Sequence, residues 1–301
     1  MDGKELLYGV RQLLNESSSS GFLDTKSTYY WINEAAREVV DRTHSLSAEQ
    51  TITTVALQLA YTLNADFLKL YLKDTSNNFF IKYNDGSSDS FIKWGEYQNI
   101  IYQNNINSVP IPSKFSITDV SLSARISGSA SVAGTISGGE CILTAAASDF
   151  TNVNAGDIVH NVTDASDGIV LEKTSSTVLK TALFNGSTNQ WALSDSFVVV
   201  PQARLRIVLD PPPSTTGHTM TVYYQQRPEP VYADYRAFRF LAQYNAPLIK
   251  YAAFLYKYRD REPNLGDNLY IMFNNEVRKA GHSINSTFNR YGLKVFLKKR
   301  Q

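Results

Sequence analysis

Residues 155–199 read AGDIVHNVTDASDGIVLEKTSSTVLKTALFNGSTNQWALSDSFVV, and this stretch decides the fold of the middle of the chain. Its apolar runs are short, and turn signals at Gly156-Asp157, Asp167-Gly168 and Asn185-Gly186 punctuate them. Runs of this length between such turns predict strands joined as hairpins. Their even spacing suits a small sandwich or barrel. Upstream, residues 121–150 are rich in Ser, Thr, Gly, Ala and Val, and "GECILTAA" adds a further strand.

Composition marks the limits of this region. None of the 18 tyrosines falls between Gln103 and Val222. Residues 119–200 hold three basic against eight acidic side chains, whereas 278–301 hold seven basic residues and no acid. The expected organisation is therefore an all-β domain, 119–202, inserted into a discontinuous outer domain of 1–118 and 203–290, followed by an extended tail, 291–301. The expected fold class is α+β: a helical-bundle outer domain with a small sheet, plus the inserted sandwich or barrel.

The helical expectation comes from both ends. In "DGKELLYGVRQLLNE", Leu6, Val10, Leu13 and Leu14 share a face. In "DTKSTYYWINEAAREVVDRTHS", Asp24 or Thr25 is an N-cap, with Ile32, Ala36, Val39 and Val40 as the buried stripe. After Pro230, "DYRAFRFLAQYNAP" and "LIKYAAFLYKYRDRE" read as two helical pieces broken at Pro247, and "GDNLYIMFNNEVRKAG" as another helix. The β-branched and aromatic run from Gln50 to Gly86 favours strands, although 48–64 also suits a helix. "SSDSFIKWGEYQNIIYQN" returns to helical spacing, and "RLRIVLDPPP" with "HTMTVYYQQRPEP" forms a strand pair.

The 301 residues are 43% hydrophobic and carry a formal net charge of +1, so no global charge draws the chain to DNA or membrane. One cysteine, Cys141, excludes a disulfide framework and a multi-cysteine zinc site. The start lacks the pattern of a signal peptide, and no apolar run reaches the roughly 18–20 residues of a membrane span. His44, His160, His218 and His282 are scattered, and no phosphate-binding glycine loop, nucleophile elbow or zinc-protease motif is present. Asn161-Val162-Thr163 is a glycosylation sequon without a secretory signal to support its use. The expectation is a structural or binding protein without catalytic residues, metal or cofactor.

The tail carries the densest charge. Lys294, Lys298, Lys299 and Arg300 are threaded with Leu293, Val295, Phe296 and Leu297. A DNA arm leaves those apolar side chains in water, and a membrane element of this length is too weakly amphipathic to hold alone. A frayed terminus is the plain alternative. An extended docking strand uses both kinds of residue, apolar anchors on one side and lysines on a partner's acidic rim.

The order of the pieces resembles the head-to-tail adaptor (connector) proteins of tailed bacteriophages. The resemblance is carried by "YYWINEAAREVVDRT", a "Y-x-L-P-x-D" turn matched by Tyr61, Leu63, Asn64 and Asp66 with Asn64 in place of proline, Pro211–Pro213, and the strand from Val222 to Tyr224 followed by Arg227-Pro228. It covers roughly 1–118 and 203–301. The middle resembles small β modules of phage neck and tail proteins through Asp157, Asn161, Asp164, Asn189, Trp191 and Asp195, to which we assign turn and core roles.

The resemblance implies a virion protein at the head–tail interface, assembled in the host cytoplasm. Its implied partners are the portal protein, further copies of itself in a ring, the next tail or neck protein, and genomic DNA held without sequence preference. Residues 293–300 then dock on the portal, and Arg278, Lys279 and Arg290 face the DNA lumen. The alternative is a peripheral neck, fibre-attachment or decoration protein that works through its β module.

Overall fold

The computed structural model describes residues 1–16, 24–70, 73, 79–96, 108–121, 123–240, 242–259 and 264–280. Contacts divide the chain into two compact units: Met1–Ser45, Ile136–Cys141 and Pro228–Gln301 in one, Leu46–Thr135 and Ile142–Arg227 in the other.

The first unit holds the four α-helices among the described residues. α1 (Gly3–Leu13) starts at Asp2, whose carboxylate accepts from the Glu5 N–H while Glu5 reaches back to the Asp2 N–H, a reciprocal capping box. Leu6, Leu7, Val10 and Leu14 are buried and Leu13 is exposed, so the apolar stripe runs through Leu7. α2 (Thr25–Thr43) is capped by Asp24, which accepts from the N–H groups of Lys26 and Ser27, and it buries Ile32, Ala36, Val39 and Val40 completely. α3 (Asn245–Arg259) is continuous through Pro247. That proline sits in the first turn, where its missing N–H would have had no helical partner. The expected break is absent, and the segment before it is a 3₁₀ turn at Ala242–Tyr244. α4 spans 264–280. Trp31 meets Tyr256 edge-on at 5.3 Å, and Tyr251 meets Phe273 at 4.6 Å, so α2, α3 and α4 share an aromatic core.

The second unit holds most of the strands, which in chain order are β1 (Ser47–Thr53), β2 (Ala60–Thr62), β3 (Phe67–Leu70), β4 (Phe80–Asn84), β5 (Asp89–Trp94), β6 (Lys114–Ser121), β7 (Ile126–Ser129), β8 (Ile136–Ser137), β9 (Glu140–Thr144), β10 (Ile158–Asn161), β11 (Ser166–Lys173), β12 (Val178–Phe184), β13 (Ser196–Val200), β14 (Arg204–Asp210) and β15 (Thr219–Gln226). The turn 136–141, which contains β8, clusters with the helical unit: Gly138 O accepts from the Asp234 N–H at 2.8 Å, and Arg236 pairs with Glu140 at 2.7 Å.

This corrects the expected helical bundle with a small sheet. The outer segments form an eight-stranded sheet in the order β1-β15-β4-β5-β6-β14-β2, with β3 also on β15. The cause is visible in 89–94, where Phe91 and Ile92 fit helical spacing but alternate in the structure, Phe91 outward and Ile92 buried. Cross-strand pairing of β-branched and aromatic side chains overrides the helical reading. Tyr61, Leu63, Ile81, Tyr83, Ile92, Phe115, Ile207, Leu209, Met220 and Val222 fill the core of this sheet. Among the described strands the pairs in it are antiparallel except β5 with β6.

Its two edge strands meet through one side chain. Gln50 on β1 donates from Nε2 to Thr62 O at 3.2 Å and accepts at Oε1 from Asn64 N at 2.8 Å, replacing a ladder bond with an amide clasp. Gln50→Ala is expected to cost about 1–3 kcal/mol, because it removes both partners at the seam. A urea midpoint equal to the parent's would show that the seam holds without the clasp.

The second sheet lies within 126–200, in the order β7-β13-β10-β11-β12-β9-β8. Trp191, Phe150, Phe197, Val159, Val170 and Leu179 are buried in it. The polypeptide leaves the first sheet at the end of β6 and returns on β14, paired from Ser121 with Arg204 to Lys114 with Asp210.

Candidate functional site

Two motifs quoted separately from the sequence, about 160 residues apart, are bonded to each other. The β2–β3 turn places Asp66 under β15, and the Tyr224 hydroxyl donates to Asp66 Oδ1 at 2.8 Å while accepting from Asn64 Nδ2 at 3.1 Å. Gln226 Nε2 donates to Asp66 Oδ2 at 2.8 Å, and the Arg227 N–H to Asp66 O. Tyr61 and Leu63 of the same turn are buried, and Phe67 packs on Tyr224 at 5.2 Å. Burial, with Asp66 adding to it, pushes the Tyr224 hydroxyl up to about 12, so it remains a neutral donor over the whole working range.

The triple proline completes this assembly. Pro213 O accepts from the Leu57 N–H at 2.8 Å and Pro212 O from the Val109 N–H at 3.0 Å. The loop 54–59 is held further by the Tyr61 hydroxyl, which accepts from Val55 N and donates to Val55 O. At its tip Leu57 has φ +65° and is 67% exposed. A leucine in the left-handed region is strained by about 1–2 kcal/mol. The loop's bonds impose that conformation and present Val55, Leu57 and Leu59 to solvent.

In the β module three of the residues expected from the sequence, Asn161, Asp164 and Asp195, bond to one another. Asn161 is fully buried, and its Nδ2 donates to Asp195 Oδ2 at 2.9 Å and Asp164 Oδ2 at 3.2 Å. Asp195 also accepts from Ala192 N, and Asp164 from the hydroxyls of Ser187 and Thr188. Asn189 Oδ1 accepts from Gly186 N at 3.3 Å. Trp191 is fully buried, its indole N–H donating to Thr181 Oγ1 at 2.9 Å. Asp157 accepts from the N–H groups of Asn154 and Gln202, while burial pushes its carboxyl above the ordinary range. Buried and doubly bonded, the Asn161 amide is no glycan acceptor.

These carboxylates serve neighbouring N–H and O–H groups within the module. Among the described residues no three His, Cys, Asp or Glu side chains gather as a metal site. No helix of the described residues is long and apolar enough to cross a membrane. Arg278 and Lys279 are exposed in the last turns of α4. Arg290 and the tail residues Leu293, Lys294, Val295, Phe296, Leu297, Lys298, Lys299 and Arg300 lie outside the described residues.

No family model and no curated protein matches this chain.

Reading the sequence alone missed the roles of Gln50, Gln226, Thr181 and Thr188. Each acts through a partner distant in the chain or on a neighbouring loop, which no periodicity reveals. The exposed loop 54–59 had one legible signal, an apolar run with no charge between Thr53 and Leu63.

Proposed function

We propose that the chain is a structural virion protein, a head-to-tail adaptor that binds the portal, assembles as a ring and joins the capsid to the tail. The observation that carries this reading is the bonded assembly of Asn64 and Asp66 with Tyr224 and Gln226. These are the segments that resemble the adaptor pattern, and they form one structural unit rather than independent matches. The exposed, hydrogen-bonded loop 54–59 and the basic end of α4 further support a protein whose work is docking.

In this reading residues 291–301 form the portal-docking strand, with Leu293, Val295, Phe296 and Leu297 as anchors, and Arg278, Lys279 and Arg290 stand near the DNA. The test is native mass spectrometry of the chain mixed with portal rings from the same virus. Uptake of a full ring of copies is expected, with uptake lost when 291–301 is deleted. No uptake at any mixing ratio overturns the adaptor reading. Normal uptake by the truncated chain overturns the role of the tail.

A further inference from the structure

The outward face of the eight-stranded sheet carries an exposed pattern that the adaptor reading does not use. On β4 and β5 the paired residues alternate: Phe80 stands opposite Lys93, and Lys82 opposite Phe91. The two rings meet edge-on, 5.1 Å apart at 78°. Phe91 is 63% exposed, and Lys93 is exposed beside Lys114, its register partner on β6. On the other side Lys82 is in register with Thr221 of β15, next to the half-buried Tyr223. The acids on this face are Asp89, bonded to Lys82 at 2.9 Å, Glu49, opposite Tyr223, and the buried Asp210 of β14, opposite Lys114. On the reverse face of the same strands Ile81, Tyr83 and Ile92 are buried. The core therefore does not require these phenylalanines.

We propose that this face is a stacking platform for a single-stranded polynucleotide. A ring open on one side offers a π-face to any base, and lysines one residue away meet the phosphates that flank it. Neighbouring strands lie about 4.8 Å apart, so rings and cations alternate on the scale of one nucleotide. An anionic ligand suits the charge balance at the surface, since Lys82, Lys93 and Lys114 outnumber the exposed acids Asp89 and Glu49. A duplex conceals its base faces and gains nothing from Phe80 and Phe91. The inference stands apart from the adaptor reading and fails or survives without it.

The test is fluorescence anisotropy with labelled oligo(dT), oligo(rU) and a duplex of equal length, titrated with the full chain. Single strands are expected to bind better than duplex, and Phe91→Ala to weaken them by about tenfold or more. Phe91→Tyr keeps a ring and is expected to keep binding. Lys93→Gln is expected to reduce the slope of log affinity against log salt by about 0.7. A preference between oligo(dT) and oligo(rU) identifies DNA or RNA as the ligand. Each variant's melting curve separates lost binding from lost fold. The inference is overturned by no binding to either single strand, by equal binding of duplex, or by affinity unchanged in a folded Phe91→Ala variant.

Discussion

Trp191→Ala is expected to destabilise the β module by about 3–5 kcal/mol, the usual cost of emptying a fully buried aromatic site. Trp191 lies edge-on to Phe197 at 6.3 Å, donates its indole N–H to Thr181, and holds the Gly134 N–H on its carbonyl. Gly134 is packed so closely that an added Cβ would lie 2.2 Å from Ile142 O, so the backbone has no freedom to move into the vacated space. The measurement is hydrogen exchange by mass spectrometry. Amides of β10 to β13 are expected to exchange roughly two to three orders of magnitude faster, following the loss in local free energy. The strands β4, β14 and β15 are expected to keep their protection, because their core is a separate cluster that does not include Trp191. Leu193→Ala, at a side chain that is 63% exposed, is the control. Exchange in the module that matches the control would show that Trp191 is not what holds it.

The second large effect concerns Asn33. On α2 its Nδ2 donates to Tyr29 O at 2.7 Å and Val231 O at 2.8 Å, and its Oδ1 accepts from Val231 N at 2.8 Å. One side-chain amide thus pairs both backbone groups of Val231, which is buried. Asn33→Ala leaves those groups without that partner and is expected to cost about 2–4 kcal/mol. Asn33→Asp is expected to cost more at neutral pH, because a carboxylate would face two carbonyl oxygens. The introduced carboxyl favours its protonated form in the folded state, so its folded pKa lies above the unfolded value of about 3.9. The sign follows: stability of this variant is greatest below that unfolded value and falls as pH rises through the folded one. Unfolding curves of the two variants at acid and neutral pH check this. A loss for Asn33→Asp that does not vary with pH would mean that the carboxyl finds another donor.

Alternation made the strands of the middle region legible, and the same rule was available at β5. There Phe91, Ile92 and Trp94 satisfy both periods over six residues, and only the pairing with β4 and β6 decides between them. The helices were legible where a cap and a stripe coincide, as at Asp24 with Ile32, Ala36, Val39 and Val40. Pro247 misled because a proline ends a helix or opens one with equal ease, and position alone tells which. For the candidate site, the residue types were legible and their partners were not. Asn161 and Asp195 are 34 residues apart, and Tyr224 and Asp66 are 158 apart. Pairings of that span are consequences of sheet order, which a one-dimensional pattern leaves open.

The register of β6 against β14 has a consequence for the descent of such chains. Because Ser121 and Arg204 are ladder neighbours, everything between them hangs from the two ends of what would otherwise be an ordinary hairpin. Exchanging that stretch for another, or for a tight turn, leaves the register of the eight strands untouched. The bonds forfeited include those of the 136–141 turn to Asp234 and Arg236 and that of Arg204 to Asn152 O. Recombination at this one joint can therefore replace the module as a cassette. Lineages that share the outer framework are free to carry unrelated inserts, or none.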